Sequence, residues 1–189
     1  MRLFFAVLPT EELREKISAV QQEFRAKTGR ADIRWVKPEN FHYTLKFLGS
    51  QTAPRARIAA EFAKELGDST EPFVLTLGGV GAFPNPQRPS TIWVGATKGA
   101  EELVAIATQM EAGLVRQGFA RENKRLTAHL TLARIKSYDG EGAAVRALRS
   151  VEVGEIGAMT VDRFVLMQSE LDRDGAEYEV VEEFRFLTT

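Results

Sequence analysis

The strongest constraint on this chain is a repeated pattern that ends in histidine. A strand-like run, residues 3–8, is followed by a helical pattern over 11–27 and a second strand-like run over 41–48. The same order recurs as strand 91–96, helix 101–117 and strand 128–135. Both units end in His-x-Thr-Leu, at His42-Tyr43-Thr44-Leu45 and at His129-Leu130-Thr131-Leu132. The chain has only 2 histidines, so the motif uses both of them. Two similar β-α-β halves predict a bilobal molecule with an approximate two-fold axis and a cleft between its lobes. With 189 residues and no linker, low-complexity tract or charge block, the chain reads as a single bilobal domain over 1–189.

Local signals fill in the elements. Thr10 reads as a helix N-cap, with Glu11 and Glu12 in the first turn, where carboxylates suit the helix dipole. Leu13, Ile17, Val20 and Phe24 recur at helical spacing, and Gly29 stops the helix. Residues 33–36 read as extended. A helix is expected over 52–66, a strand over 73–80 and an irregular Gly/Pro loop over 78–89. A weaker helix follows over 140–148. Two long strands, 159–168 and 177–186, are joined by a turn at Asp172-Arg173-Asp174-Gly175.

Composition removes several chemistries. Apolar residues are 44% and charged residues 27%, which excludes disorder, collagen and coiled coil. The net charge of −1 means that an anionic partner must be met by a local basic patch. The absence of cysteine removes thiolate nucleophiles, disulfides and thiolate metal sites, and suits a reducing compartment. The longest apolar run, 3–9, is too short to span a bilayer and lacks a small-residue cleavage site. The expectation is a cytoplasmic protein, monomeric and without a membrane partner.

In a strand, residues i and i+2 share a face. His42 and Thr44 therefore point one way, with Lys46 next along; Phe41, Tyr43, Leu45 and Phe47 point the other way as a packing face. His129 and Thr131 likewise share a face, backed by Leu130 and Leu132. Imidazole titrates near neutrality, so one ring can take a proton from water or a hydroxyl while the other gives one to a leaving oxygen. Threonine hydroxyls can hydrogen-bond the non-bridging oxygens of a phosphate held between them. No carboxylate lies in the strand segments flanking either histidine, which disfavours a metal site, and no cofactor is expected. Lys46 is a possible phosphate contact or a solvated charge. Arg88, in the irregular loop, can reach an RNA backbone or is a surface arginine; Lys124 and Arg125 can add positive field at the cleft mouth, and Phe83 or Phe119 can stack a base or belong to the core. Tyr43, Trp35 and Trp93 read as core.

These residues resemble the 2H phosphoesterase superfamily, and within it the RNA 2′,3′-cyclic phosphodiesterases, also called 2′-5′ RNA ligases. The resemblance rests on residues 2–6, the block from Trp35 to Gly49, Trp93-Val94-Gly95, residues 129–134 and the late segment 164–171. It implies an α+β fold: a bilobal, pseudo-two-fold 2H phosphoesterase fold with two antiparallel-rich sheets flanked by helices around a central cleft. It implies hydrolysis of an RNA-terminal 2′,3′-cyclic phosphate to a 2′-phosphate without metal, with a weak reverse 2′-5′ ligation. His42 would be the proton donor and His129 the acceptor, with Thr44 and Thr131 as phosphate ligands. Where the family often has proline before its second histidine, this chain has Ala128. The family arginine falls at Arg134, five residues after His129, where strict alternation turns it away from the histidine face. Either a bulge or twist there returns it to the phosphate, or Arg134 braces the structure from behind. The rival readings are the same chemistry on a small cyclic nucleotide or ADP-ribose cyclic phosphate, and a non-catalytic RNA- or nucleotide-binding module.

Overall fold

The computed structural model describes residues 1–123, 126–172 and 175–187. In the first half, β1 (Arg2–Val7) leads to α1 (Glu11–Thr28). The Thr10 hydroxyl accepts the Leu13 N–H at 3.3 Å, satisfying one of the free donors at the helix start. Leu13, Ile17 and Phe24 form the buried stripe of α1. Gln21 shares that stripe because its Nε2 donates to the carbonyls of Val36 and Leu132, at 2.8 and 2.9 Å. The chain then forms β2 (Ile33–Trp35), a 3-10 turn (Pro38–Asn40), β3 (Tyr43–Ser50) and α2 (Ala53–Asp68).

The second half runs β4 (Phe73–Phe83), β5 (Thr91–Lys98), α3 (Ala100–Arg116), β6 (Leu130–Ile135), α4 (Tyr138–Ser150) and β7 (Glu155–Val161). The chain then returns to the first half as the hairpin of β8 (Arg163–Asp172) and β9 (Gly175–Arg185). Among the described residues, no helix is long and apolar enough to cross a membrane.

The strands form one antiparallel sheet in the order β7-β4-β5-β6-β3-β1-β8-β9, with β2 added beside β6. Read outward from the middle, the two sides correspond. The motif strands β6 and β3 meet at the centre, β5 and β1 flank them, then β4 and β8, with β7 and β9 at the edges. The two expected sheets are thus two halves of one sheet, hydrogen-bonded at the centre through Tyr43 opposite Leu130. The principal core holds residues of both halves, among them Phe5, Ile17, Leu45, Leu77, Ile92, Met110 and Leu132. A smaller cluster of Phe4, Ala6, Val165 and Met167 lies apart from it, with Tyr178 packed on it.

Two boundaries differ from expectation. Strand β4 continues to Phe83 instead of yielding to a loop at Gly78. A Cβ at Gly81 would lie 2.3 Å from the Trp93 ring, so this glycine makes room for the indole and does not break the strand. The run expected as one strand over 159–168 is split at Asp162 into β7 and β8, which sit on opposite sides of the sheet. The Asp162 carbonyl accepts the Phe186 N–H at 2.8 Å at this crossing.

Candidate active site

Both histidines stand one residue before their strands, and the same bond holds each of them. His42 Nδ1 lies 2.7 Å from the Asn40 carbonyl, and His129 Nδ1 lies 2.7 Å from the Thr127 carbonyl. A carbonyl can only accept, so both Nδ1 atoms carry a proton. In the neutral ring Nε2 is then the free acceptor, and in the charged ring it is a donor. Each ring also has aromatic walls. Phe4 and Tyr178 flank His42 at centroid distances of 5.0 and 5.2 Å. Phe83 and Trp93 flank His129 at 4.9 and 6.2 Å.

These surroundings set the proton affinities. Burial pushes His42 down to about 4, an effect partly opposed by the Asn40 carbonyl and reinforced by the charges of Arg134 and His129. Burial also lowers His129, opposed by the Thr127 carbonyl and reinforced by Arg134. Both rings are neutral near pH 7 before an anion arrives, and a bound phosphodiester would raise both.

The cleft has a volume of about 930 Å³, and His42, Thr44, His129, Thr131 and Arg134 all line it. Arg134 reaches it through a bulge. Between β5 and β6, Ile92 pairs with Ala133 but Trp93 pairs with Thr131, leaving Leu132 as the extra residue. A one-residue insertion shifts the alternation, so the fifth residue after His129 rejoins the histidine face. Arg134 has no ion-pair partner among the described residues.

The first motif carries the same irregularity. Phe5 pairs with Lys46 and Ala6 with Thr44, leaving Leu45 as the extra residue. This contradicts both readings of Lys46, as a cleft-facing phosphate contact and as a solvated charge. Lys46 is 1% exposed and turned away from the cleft, 2.6 Å from Glu111. Its neighbour Phe47, expected in the core, is 53% exposed and lines the cleft beside Phe4. Phe47 and Arg134 are therefore matching positions in the two halves.

The other sequence expectations separate clearly. Phe83 lines the cleft against His129. Phe119 is buried, with the Arg55 guanidinium 3.9 Å from its ring centroid, so it offers no face to a base. Tyr43 is core, its hydroxyl donating to the Gly95 carbonyl at 3.0 Å. Trp35 and Trp93 are half-buried, and Trp93 backs His129. Arg88 lies on the exposed turn after β4 and does not line the cleft. Lys124 and Arg125 fall outside the described residues. Sequence reasoning missed Asn40 and Thr127, which act through backbone carbonyls and so leave no residue-type signal. It also missed Phe4 and Tyr178. The alternation of Phe4 with Ala6 on β1 is a signal that could have found the first of these. Among the described residues, no three His, Cys, Asp or Glu side chains stand together as a metal-holding group.

The model of the LigT-like phosphoesterase family matches this chain twice in tandem, over residues 7–93 and 94–178. The chain belongs to that family. The two matches divide the chain so that each contains one histidine motif. Similar LigT-like proteins include an RNA 2′,3′-cyclic phosphodiesterase of Aeropyrum pernix, 39% identical over 85% of this chain and 89% of that protein. Another, of Archaeoglobus fulgidus, is 36% identical over 94% of this chain and 96% of that protein. A crystal structure from Thermus thermophilus superposes with a TM-score of 0.82 at 28% identity, covering 98% of each chain. E. coli LigT, solved with 3′-AMP, gives 0.76 at 25% identity, covering 99% of this chain and 98% of that one.

Proposed function

We propose that this LigT-like protein hydrolyses RNA-terminal 2′,3′-cyclic phosphate to a 2′-phosphate, with His129 as the general base and His42 as the general acid. The observation that carries this reading is the matched pair of Nδ1-anchored imidazoles in one cleft that also holds Thr44, Thr131 and Arg134. RNA as the substrate class follows the names of the similar proteins from A. pernix and A. fulgidus.

The cyclic phosphate enters as a monoanion and sits between the two threonine hydroxyls, with Arg134 balancing its charge. Its charge raises His42 from about 4, so that His42 can hold a proton on Nε2 while Nδ1–H stays on the Asn40 carbonyl. His129 Nε2 takes a proton from water as the water oxygen bonds to phosphorus. The P–O3′ bond breaks, and His42 Nε2 gives its proton to the departing 3′ oxygen. The products are a 3′-hydroxyl and a 2′-phosphate, and the next turnover needs only transfer of a proton from His129 back to His42 through solvent. Arg134 and the threonines stabilise charge that grows on the non-bridging oxygens in the transition state. No step calls on a metal. A cysteine-free chain suits the reducing cytoplasm as the place of action.

The test is product analysis. A short RNA ending in 2′,3′-cyclic phosphate is incubated with the protein and EDTA, and the phosphate position is identified. A 2′-phosphate is expected. A 3′-phosphate would overturn the leaving-group assignment. Binding without product would leave the RNA-binding reading, and turnover confined to mononucleotide or ADP-ribose cyclic phosphates would replace the RNA end as substrate.

A further inference from the structure

We propose that Lys46 is a positioning residue that fastens the segment delivering His129 to the strand carrying His42, so that one buried cation couples the two halves of the acid–base pair. The pseudo-two-fold arrangement frames the reasoning. The segment approaching His42 contains β2, which pairs by backbone with β6 of the other motif: Ile33 with Ile135, Arg34 with Arg134, Trp35 with Ala133. Val36 N–H adds a bond to the Leu132 carbonyl at 2.9 Å. The first approach segment is thus stitched to the second motif strand.

The opposite approach segment, from Phe119 toward Thr127, has no strand pairing among its described residues. Side chains hold it instead. Lys46 Nζ donates to the Ala120 carbonyl at 2.8 Å, lies 2.6 Å from Glu111 on α3, and stands 4.0 Å from Glu122. Glu111 in turn accepts the Glu122 N–H at 2.9 Å. One lysine therefore joins β3, α3 and the approach segment at a single point. Its counterpart four residues after the second histidine is Ala133, a small apolar residue that lies within the β2–β6 ladder.

The charges in this network bear on one another. Burial would raise Glu111, but Lys46 and the Glu122 N–H outweigh it and hold Glu111 below the usual carboxylate range. Glu122 is raised by burial and by Glu111, partly offset by Lys46 and by the Phe47 N–H. Removing the lysine leaves Glu111 and Glu122 facing each other, with the more distant charge of Arg121 still acting on Glu111. A well-packed apolar side chain of similar length can match a buried ion pair in stability. What the ions add is a fixed register for Ala120 and Glu122, in the segment that leads to the Thr127 carbonyl on His129 Nδ1.

The chain has only 2 histidines, so each ring can be followed by its own Cε1–H NMR signal. In Lys46→Met the His129 titration is expected to move up toward its ordinary value as the ring gains solvent, with His42 unchanged. Arg134, the charge that acts on His129, stays in place, while Glu122, which lines the same cleft, loses its lysine neighbour. The kinetic half of the test rests on the phosphodiesterase reading: kcat should fall about 10–100-fold with KM nearly unchanged, and Lys46→Arg should recover most of the loss. If Lys46→Met does not fold, Glu111→Gln keeps the volume, weakens the same tie and should move the same His129 signal. Unchanged titrations with near-normal kcat would overturn the proposal. So would equal shifts of both rings with a lowered melting temperature, which is the mark of general loosening. A wild-type protein without turnover, combined with a His129-selective shift, would defeat the phosphodiesterase reading and leave the latch standing.

Discussion

His42 and His129 occupy matching places in the two halves, yet they differ in the feature that decides proton transfer. Both hang from a backbone carbonyl two residues upstream, and both precede a strand with a bulge three residues later. Burial lowers His42 to about 4, and it also feels the charges of Arg134 and His129. His129 is lowered without His42 among the causes. The fifth residue after each histidine differs outright, a half-exposed phenylalanine in one half and a cleft-lining arginine in the other. Repetition fixes where the two rings stand. The neighbours that break the repetition give the two rings different surroundings.

The largest break is loss of a ring. His42→Ala or His129→Ala should each cost about 10²–10⁴-fold in kcat while the circular dichroism spectrum stays native. The double variant should cost far less than the product of the two, because acid and base act as a unit. Near-wild-type turnover in either single variant would remove that histidine from the mechanism.

The next break compares the two fifth positions. Arg134→Ala should lower kcat/KM by about 10²–10³-fold, the range for removing one preorganised donor to a developing oxyanion. Phe47→Ala should act mainly on KM, since an exposed ring on the cleft floor can offer stacking worth about 1–3 kcal/mol to a base. Steady-state kinetics on the same RNA would separate the two. Equal effects on kcat would show that the difference between the halves is not functional at these positions.

A stability measurement sharpens the comparison of the rings themselves. A histidine whose folded value is lowered makes the unfolded chain bind more protons as the pH falls. His42 therefore contributes no penalty above its ordinary value of 6.5, and destabilises progressively as the pH falls from 6.5 to about 4. The full loss is on the order of 3 kcal/mol, at 1.36 kcal/mol per unit. Urea midpoints of wild type and His42→Asn between pH 7 and 4 should diverge by this slope, and the matching His129→Asn comparison should diverge less. Parallel curves would mean that His42 is no less willing to take a proton than a free imidazole.

The frame of the molecule was open to reading from residue types. The β-α-β echo, the Thr10 cap, the apolar stripe of α1 and the pairing of each histidine with a threonine all follow from period and composition. The bulges do not follow from residue types; the one before Arg134 is expected only because the family resemblance asks for an arginine there, and the one before Lys46 is not expected at all. Leu45 and Leu132 are ordinary strand residues, and nothing in their chemistry announces the extra residue that reverses Lys46 and Phe47 and returns Arg134 to the cleft. A lysine two positions after a threonine reads as cleft-facing until its carboxylate partners appear, and these lie on α3 and the following loop, far along the chain. The two carbonyls that set the tautomers are equally silent, because any residue supplies a carbonyl. Gly81 reads as a loop residue until the Trp93 ring is placed over it.

The division of labour between the two rings can be tested at the bond that breaks. A short RNA is prepared whose terminal cyclic phosphate carries sulfur in place of the 3′ bridging oxygen. A thiolate leaves without needing a proton, so the general acid becomes dispensable while the base does not. On this substrate His42→Ala should recover to near the wild-type rate, and His129→Ala should remain impaired by about 10²–10⁴-fold. Recovery of His129→Ala with no recovery of His42→Ala would reverse the roles, and recovery of neither would contradict general-acid catalysis at the 3′ oxygen.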